Sequence, residues 1–439
     1  MATFLELTDT PASFTTHRLV KVNRGASGLE WSNTILVRPE DGVNNIISGI
    51  VSGLNSDFAL ILEGGTFTQT EPITVKNGVT RFAIVGQGIG LTIVNFHGCN
   101  GFVQETYENE ENGDYSKRAV CLSSFTMTTN GTSYKGIDFE GCRNESKIAF
   151  ILKDLELRGS NSSYYWNIAI YAKCWWNFSI ENCQVNPFAG GSIPGGTIGV
   201  KFLSCVSGHV VGGDYNLLDK AFVFRCADKE IQGWTYLDGQ VHGCEGVKFS
   251  DVTVQESNYG IYIYQENSSG QESDERTQLS LMFENCTLDR IHINPIREVV
   301  PANNSPIRGG YHVIKGGWFA HSSSPTYGEH GILLARPGSR VVGVILTGSS
   351  SIVVNGITLG ADASRSSIVG CMLRFFYAAL WIMGDQNSII GNTIENAQSQ
   401  ESDVILGADS SYNALIGNIM DKGISDSGSN NLKEHNVVY

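Results

Sequence analysis

Three acidic side chains stand in an aromatic-rich stretch in the middle of the chain. Glu256 and Glu266, with Asp238 as a third candidate, each close a predicted outward-facing strand or turn. Hydrolysis of a glycosidic bond needs two carboxyl groups about 5 to 9.5 Å apart, one protonated to assist the leaving oxygen and one ionised. We therefore predict these three acids as the catalytic residues.

Aromatic, imidazole and amide side chains surround the three acids in the sequence. Aromatic faces pack against the apolar side of a sugar ring, and polar side chains hydrogen-bond its hydroxyl groups. The stretch therefore predicts a carbohydrate site. The predicted substrate-binding side chains are Trp234, Tyr236, Tyr262, Tyr264, His292 and Asn294.

A lyase would use other side chains of the same stretch. Elimination needs a base that removes a proton beside a uronic carboxylate, and a cation that neutralises this carboxylate. The candidates are His292, Tyr262, Arg290 and Arg297. Neither set has a diagnostic spacing. The chemistry favours a hydrolase, while elimination and binding without cleavage stay open.

On a β-helix, side chains one or two coils apart meet the spacing that two catalytic carboxyl groups need, and the cysteines indicate such a repetitive fold. All of the ten cysteines except Cys174 recur at intervals near multiples of about 21 residues. Segments 388–394 and 414–420 are almost identical, and segment 260–264 carries apolar residues at every second position. Short strands at this period predict stacked coils about 4.8 Å apart, with the cysteines in a structural ladder at an inward corner.

The predicted fold is all-β, a parallel β-helix of about 13 to 15 coils with one strand per face in each coil. We predict the β-helix over residues 73–425, an N-terminal cap over 39–72 and a C-terminal tail or end cap over 426–439. Apolar spacing over 41–54 predicts an amphipathic helix that covers the open end of the core.

Alternation along two strands predicts which side chains share the outer surface. If Ile261 and Ile263 face the core, Tyr262 and Tyr264 face solvent. One coil later the same pattern puts His292 and Asn294 outside, where they would adjoin the two tyrosines.

Composition narrows the set of partners. The formal net charge of −14 repels phosphate backbones and anionic lipid, and no basic run offsets it. The sequence has no secretory leader and no apolar window long enough to span a membrane. We therefore predict no nucleic-acid or membrane partner, and synthesis as a soluble chain in the cytoplasm.

No cofactor and no metal ion is predicted. The glycines of 86–90 lack the full dinucleotide spacing and precede a strand-like segment instead of a helix. The cysteines form neither a Cys-x-x-Cys motif nor a cluster with histidine.

The opening coils, 61–67, 73–79 and 84–94, resemble those of pectate-lyase-like right-handed β-helix proteins. Segment 4–14, followed by 19–23 and 27–31, is similar to a module near the N-termini of bacteriophage tail fibre and tailspike proteins. The residues that carry this second resemblance best are Thr8-Asp9-Thr10-Pro11 and Leu29-Glu30-Trp31.

Together these resemblances imply a right-handed β-helix with a virion-attachment segment over residues 1–38. They imply a homotrimer in the phage tail that binds, and degrades, a polysaccharide of the host cell surface. Other tail or adaptor proteins would contact residues near 1–38. Two alternatives stay open: a receptor-binding tail fibre or spike without catalysis, and a free polysaccharide lyase or hydrolase.

Overall fold

The computed structural model describes most of the chain as short strands that wind into coils. Successive coils pair in parallel, so the predicted fold class, a parallel β-helix, is confirmed. The described residues are 18–22, 29–76, 79–104, 119–140, 150–173, 175–187, 192–203, 205–225, 244–264, 280–299, 310–322, 330–349, 354–395 and 402–439.

Each coil adds strands to three faces, which we number in chain order. Faces 1 and 2 belong to one continuous sheet, whereas face 3 is a separate sheet. The described strands of face 1 are Leu29–Val37, Phe58–Leu62, Arg81–Val85, Phe178–Glu181, His209–Val211, Glu245–Ser250, Ser280–Glu284, His312–Lys315, Arg340–Val342, Ser367–Val369, Ser388–Ile390, Ala414–Ile416 and Leu432–Glu434. Two longer strands, Ala119–Thr129 and Phe150–Gly159, run through both face 1 and face 2.

The described strands of face 2 are Gly65–Gln69, Thr92–Phe96, Gln184–Asn186, Asp214–Asn216, Thr253–Gln255, Thr287–Ile291, Trp318–His321, Ile345–Thr347, Met372–Arg374, Thr393–Glu395, Ile419–Met420 and Val437–Val438. Those of face 3 are Ile73–Val75, Phe102–Gln104, Lys135–Glu140, Ile168–Lys173, Ile198–Leu203, Lys220–Arg225, Tyr259–Tyr264, Asn294–Glu298, His330–Leu334, Asn355–Leu359, Leu380–Ile382, Val404–Leu406 and Ile424–Asp426.

Aromatic rings from successive coils stack in the core of the central coils. The Phe202 ring lies 5.5 Å from Phe178 and 4.9 Å from Phe224, between ring centroids. Further along the axis, Phe249 lies 5.1 Å from Phe283. Because the same inward position recurs in each coil, one large ring packs on the next and excludes water.

Asparagine ladders occupy two corners of the C-terminal coils. At the corner between faces 1 and 2, Asn392 and Asn418 donate through Nδ2 and N to the next asparagine, ending at Asn436. At the corner between faces 3 and 1, backbone N–H groups of Asn387 and Asn413 donate to the next asparagine side chain. The repeated segments 388–394 and 414–420 therefore occupy the same positions, on faces 1 and 2, of two successive coils.

The described cysteines are buried as predicted except Cys121, which is partly exposed on face 1, and they do not form one ladder. Cys183, Cys286 and Cys371 lie at the corner between faces 1 and 2, whereas Cys205 and Cys244 lie at the corner between faces 3 and 1. Coil length varies with the insertions, so a spacing near 21 residues returns to different corners. The described cysteines are free thiols. Cys142, Cys174 and Cys226 lie outside the described residues.

A short helix, Ile46–Ser52, covers the N-terminal end of the core. Its Ile47 and Val51 side chains are fully buried, and Ile46 and Ile50 pack against the core edge. The predicted helix is therefore present, but it is shorter than 41–54. No described helix is long and apolar enough to cross a membrane.

The strand ladder extends beyond the predicted limits of 73 and 425. Leu29–Val37 pairs in parallel with Phe58–Leu62, and Gly65–Gln69 pairs with Thr92–Phe96. At the other end, Leu432–Glu434 and Val437–Val438 continue faces 1 and 2. Much of the predicted cap and end segment is thus built from coils. Leu29–Val37 also pairs antiparallel with Arg18–Val22.

Candidate functional site

Several predicted site residues fall on parts of the chain that the structure does not describe. These are Trp234, Tyr236, Asp238 and Glu266; for Tyr264 only the backbone is described. Their roles stay predictions. Glu256, Tyr262, His292 and Asn294 are described and can be located on the coils.

Tyr262 lies on the outer surface of face 3. Ile261 and Ile263 are buried beside it, as the alternation predicts. The Tyr262 ring centroid lies 5.0 Å from that of Tyr259 in an edge-to-face contact. The Lys220 ammonium, one coil earlier, lies 5.4 Å from both centroids. This is the geometry of a cation–π contact with a pair of tyrosines.

Asn294 is buried, so the prediction that it faces solvent beside the tyrosines is wrong. The chain turns the corner at His292, whose N–H donates to the Ser257 carbonyl at 2.8 Å. The face 3 strand then begins at Asn294, which pairs with Tyr259, while Arg297 pairs with Tyr262. Asn294 Nδ2 donates to the His330 carbonyl at 2.5 Å. His292 itself is partly exposed at this corner.

Glu256 lies at the corner between faces 2 and 3, in a left-handed backbone conformation with φ of 48°. Its carboxylate forms an ion pair with Arg290 on the following coil. The Arg290 Nε also lies 3.5 Å from the Asp289 carboxylate. Glu256 is thus paired with a described cation, Arg290, at a partly exposed corner.

A row of polar and aromatic side chains runs along the outside of face 3, one residue per coil. Backbone register places Asp138, Tyr171, Lys201, Tyr262 and Arg297 in this row, with Val223 between Lys201 and Tyr262. We call it the face 3 row. Of its members, only Tyr262 belongs to the predicted site, with Arg297 among the lyase alternatives.

Three lysine ammonium groups surround the Tyr171 ring. The Nζ atoms of Lys135, Lys201 and Lys173 lie 4.7, 5.0 and 5.4 Å from its centroid. Asp138 accepts from Lys135 Nζ at 2.7 Å and lies 2.9 Å from Lys173 Nζ. Two of the three cations therefore share one carboxylate.

Lys201 differs from its two neighbours. No carboxylate oxygen of the described residues lies within ion-pair distance of its Nζ. Burial lowers the pKa of the Lys201 ammonium, and repulsion by Arg225 and Lys135 lowers the pKa further, whereas Asp138 raises it. Lys201 is thus a half-buried cation in a cationic environment.

Sequence reasoning missed Tyr171 and Lys201. The signal was present, because segments 168–173 and 198–203 alternate in the same way as 259–264. Their lysines and tyrosine stand at alternate positions from the apolar ones. The predicted site was instead centred on the acids of later coils.

A charged cluster is buried inside the β-helix, close to the end of the Asn294–Glu298 strand. Glu298, His312 and Arg336 are all fully buried. Arg336 Nε lies 2.7 Å from Glu298 Oε1, and the Ala335 N–H donates to Glu298 Oε2 at 2.7 Å. Burial raises the pKa of the Glu298 carboxyl, but His312, Arg336 and Ala335 together outweigh burial and hold it at about 2.

No group of three or more histidine, cysteine, aspartate or glutamate side chains suited to a metal ion is found in the described ranges.

Sequence comparison gives no relative, but structural comparison finds similar folds. No protein-family model matches the chain, and no curated protein matches it. A mutant tailspike protein of E. coli bacteriophage HK620, solved in complex with a pentasaccharide, is 12% identical with a TM-score of 0.51. That alignment covers 95% of this chain and 82% of the tailspike chain.

Structural comparison also finds two further solved structures. A double mutant of the same phage tailspike protein is 13% identical with a TM-score of 0.50, over 91% of this chain and 76% of that one. The A-module of the Azotobacter vinelandii mannuronan C-5 epimerase AlgE6 is 14% identical with a TM-score of 0.48, over 90% and 94% of the two chains. The predicted resemblance to tailspikes and pectate-lyase-like proteins is confirmed for the fold.

Proposed function

We propose that this chain is a phage tailspike protein that binds, and degrades, a polysaccharide of the host cell surface. The observation that carries the proposal is the face 3 row together with the Tyr259–Tyr262 pair. Tyrosine rings and charged side chains stand along this row, interrupted by Val223, on coils about 4.8 Å apart, which suits an extended chain of polar rings.

The fold supports the phage assignment. The structures with TM-scores of 0.50 and 0.51 are both tailspike proteins of a bacteriophage, and one is described as a complex with a pentasaccharide. Fold alone does not fix an activity. The N-terminal resemblance adds the attachment role, with residues 1–38 as the contact for other tail or adaptor proteins and the virion tail as the location.

As the reaction we propose glycoside hydrolysis, with Glu256 as one carboxyl group and Glu266 or Asp238 as the other. Glu256 lies at the corner between faces 2 and 3, directly before the strand that carries Tyr259 and Tyr262. A sugar ring held on this tyrosine pair would therefore have Glu256 at its edge.

The activity test incubates the purified protein with bacterial capsular and O-antigen polysaccharides and measures new reducing ends and the absorbance of unsaturated uronides. We expect reducing ends without the absorbance. Glu256→Gln should lower turnover at least about a hundredfold. The matched control is Glu284→Gln, because Glu284 is also an outward acid paired with lysines, but on face 1. Unchanged turnover in Glu256→Gln, Glu266→Gln and Asp238→Asn would remove the proposed catalytic residues.

A second candidate, binding without cleavage, is favoured by the partners of the described acids. Asp138 is paired with Lys135 and Lys173, and Asp219 with Lys220. Glu256 is paired with Arg290. Retained binding with neither reducing ends nor absorbance would favour this candidate over the hydrolase.

We further propose that the chain works as a homotrimer. An apolar row on the outside of face 2 supports self-association: Trp318, Ile345, Ile419 and Val437 are each 38 to 46% exposed. Backbone register aligns them along the axis, with Met372 and Thr393 between Ile345 and Ile419. Exposed apolar rows of this kind mark protein interfaces. A solution mass of three chains is expected, and Ile345→Glu should lower it; a monomeric native mass would refute the proposal.

A further inference from the structure

The surroundings of Lys201 point to the chemical class of the polysaccharide. Charges at the start of the face 3 row are predominantly positive among the described side chains. Lys135, Lys173, Lys201 and Arg225 lie there, with Asp138 as the carboxylate between them. The whole chain, in contrast, carries a formal net charge of −14.

Such a grouping is unfavourable unless something compensates it. Lys135 and Lys173 form ion pairs with Asp138. Lys220, two coils after Lys173, forms an ion pair with Asp219 at 2.7 Å. Lys201 is held among cations while partly desolvated, which costs free energy in the isolated protein. An anionic ligand would offset this cost, because it would supply a negative charge that the described residues do not place within ion-pair distance of Lys201.

We infer that Lys201 and the other residues around the Tyr171 ring form a subsite for the carboxylate of an acidic sugar within the bound polysaccharide. This inference rests on the proposed function, since it names the class of its ligand. The Lys201 ammonium would donate hydrogen bonds to the sugar carboxylate, with Lys135, Lys173 and Arg225 adding long-range attraction. The overall negative charge would meanwhile disfavour non-specific attachment to other polyanions.

The order of the subsites along the face 3 row indicates which kinds of sugar the ligand contains. The carboxylate subsite at Tyr171 and Lys201 lies before Val223, and the Tyr259–Tyr262 pair lies after it. A polysaccharide along face 3 would therefore contact a cationic region first and an aromatic pair about two coils later. This arrangement suits a repeating unit that contains both an acidic and a neutral sugar.

The test measures binding to immobilised capsular and O-antigen polysaccharides of known composition, acidic and neutral. Each acidic polysaccharide is also presented after chemical reduction of its carboxyl groups to primary alcohols, which leaves the chain otherwise intact. We expect binding to acidic polysaccharides, and a loss of at least about tenfold in affinity after carboxyl reduction.

Three variants locate the effect. Lys201→Met removes the charge from a half-buried side chain of similar length and should lower affinity at least about tenfold. Lys201→Arg keeps the charge and should stay within about threefold of the native protein. Lys248→Met is the matched control, because Lys248 is an outward lysine on face 1, paired with Glu284 at 2.9 Å. Circular dichroism melting of each variant reports whether it folds.

The outcomes separate the inference from the proposed function. Equal binding to native and carboxyl-reduced polysaccharide, or binding to neutral ones alone, would overturn the inference and leave the proposed function standing. Full affinity in folded Lys201→Met for an acidic polysaccharide would also overturn it. Binding to no polysaccharide would count against the proposed function, and the inference would fall with it.

Discussion

Removal of one side chain from an asparagine ladder should loosen the C-terminal coils. Asn418 Nδ2 donates to the Ile389 carbonyl at 3.0 Å and to Asn436 Oδ1 at 2.9 Å. Its Oδ1 accepts from the Asn392 backbone N–H at 3.0 Å and from Asn392 Nδ2 at 2.9 Å. Asn418→Ala deletes all four hydrogen bonds at a fully buried corner.

The loss of stability in Asn418→Ala can be estimated from these contacts. The Asn392 N–H keeps no acceptor and stays buried, which costs about 1–3 kcal/mol. The remaining contacts of the deleted amide add roughly 1 kcal/mol after exchange with water is counted. We therefore expect Asn418→Ala to lower the free energy of opening of the last coils by roughly 2–4 kcal/mol.

Hydrogen–deuterium exchange with peptide mass spectrometry measures this locally. A loss of that size accelerates exchange about thirtyfold to a thousandfold in peptides from 413–438. Peptides from 58–96 should not change, because coils contact only their neighbours. Asn436→Ala is the matched variant at the half-exposed end of the same ladder, where water replaces the amide, and it should cost only about 1 kcal/mol.

Equal exchange in native protein and Asn418→Ala would refute the reasoning that the ladder stabilises these coils. An equal effect of Asn418→Ala and Asn436→Ala would refute the role assigned to burial. Acceleration across the whole chain would show that the coils open as one unit instead of locally.

Acid, alkylation and a turn glycine supply three more tests. The pKa of the Glu298 carboxyl is held at about 2, below its ordinary value of 4.5, so it stabilises the fold above pH 4.5 by about 3 kcal/mol, and this contribution is lost as pH falls toward 2. The gap in melting temperature between native protein and Glu298→Gln should therefore narrow on acidification; a constant gap would contradict the assignment. Burial raises the pKa of the Cys183 thiol to about 12, so iodoacetamide should modify Cys121, which is partly exposed, before Cys183 in the folded protein, as peptide mapping would reveal. Gly213→Ala should lower the melting temperature more than Gly391→Ala: both have positive φ, but a Cβ at 213 would meet the Cys183 carbonyl at 2.2 Å, whereas 391 has open space.

The periodicity of the sequence made the β-helix architecture predictable. Alternation at Ile261 and Ile263 and the copied segments near the C-terminus both give coils, and both are found. The burial of the described cysteines other than Cys121 was predictable for the same reason. Their corners were not, because each insertion changes the number of residues in a coil, and sequence spacing alone does not count turns.

Register between coils was the main source of error at the site. Segment 290–294 alternates like 260–264, yet the chain turns a corner at His292, and the true counterpart of Ile261 is Ile296. Only pairing with the neighbouring coil fixes that shift, and it moves Asn294 inside. Glu298 was missed for another reason: an acid at an inward position contradicts the usual rule, and only distant His312 and Arg336 make it tolerable.

Stacked phenylalanine rings fill the core of the central coils, whereas hydrogen-bonded asparagines line two corners of the C-terminal coils, whose core is mainly aliphatic. Exposure of apolar rings raises heat capacity, whereas exposure of amides lowers it. Cooling should therefore weaken the packing of the ring-filled coils more than the hydrogen bonds of the asparagine corners. Near freezing, the asparagine corners should keep more of their stabilising effect than the ring-filled coils, and near the melting point the rings should contribute more.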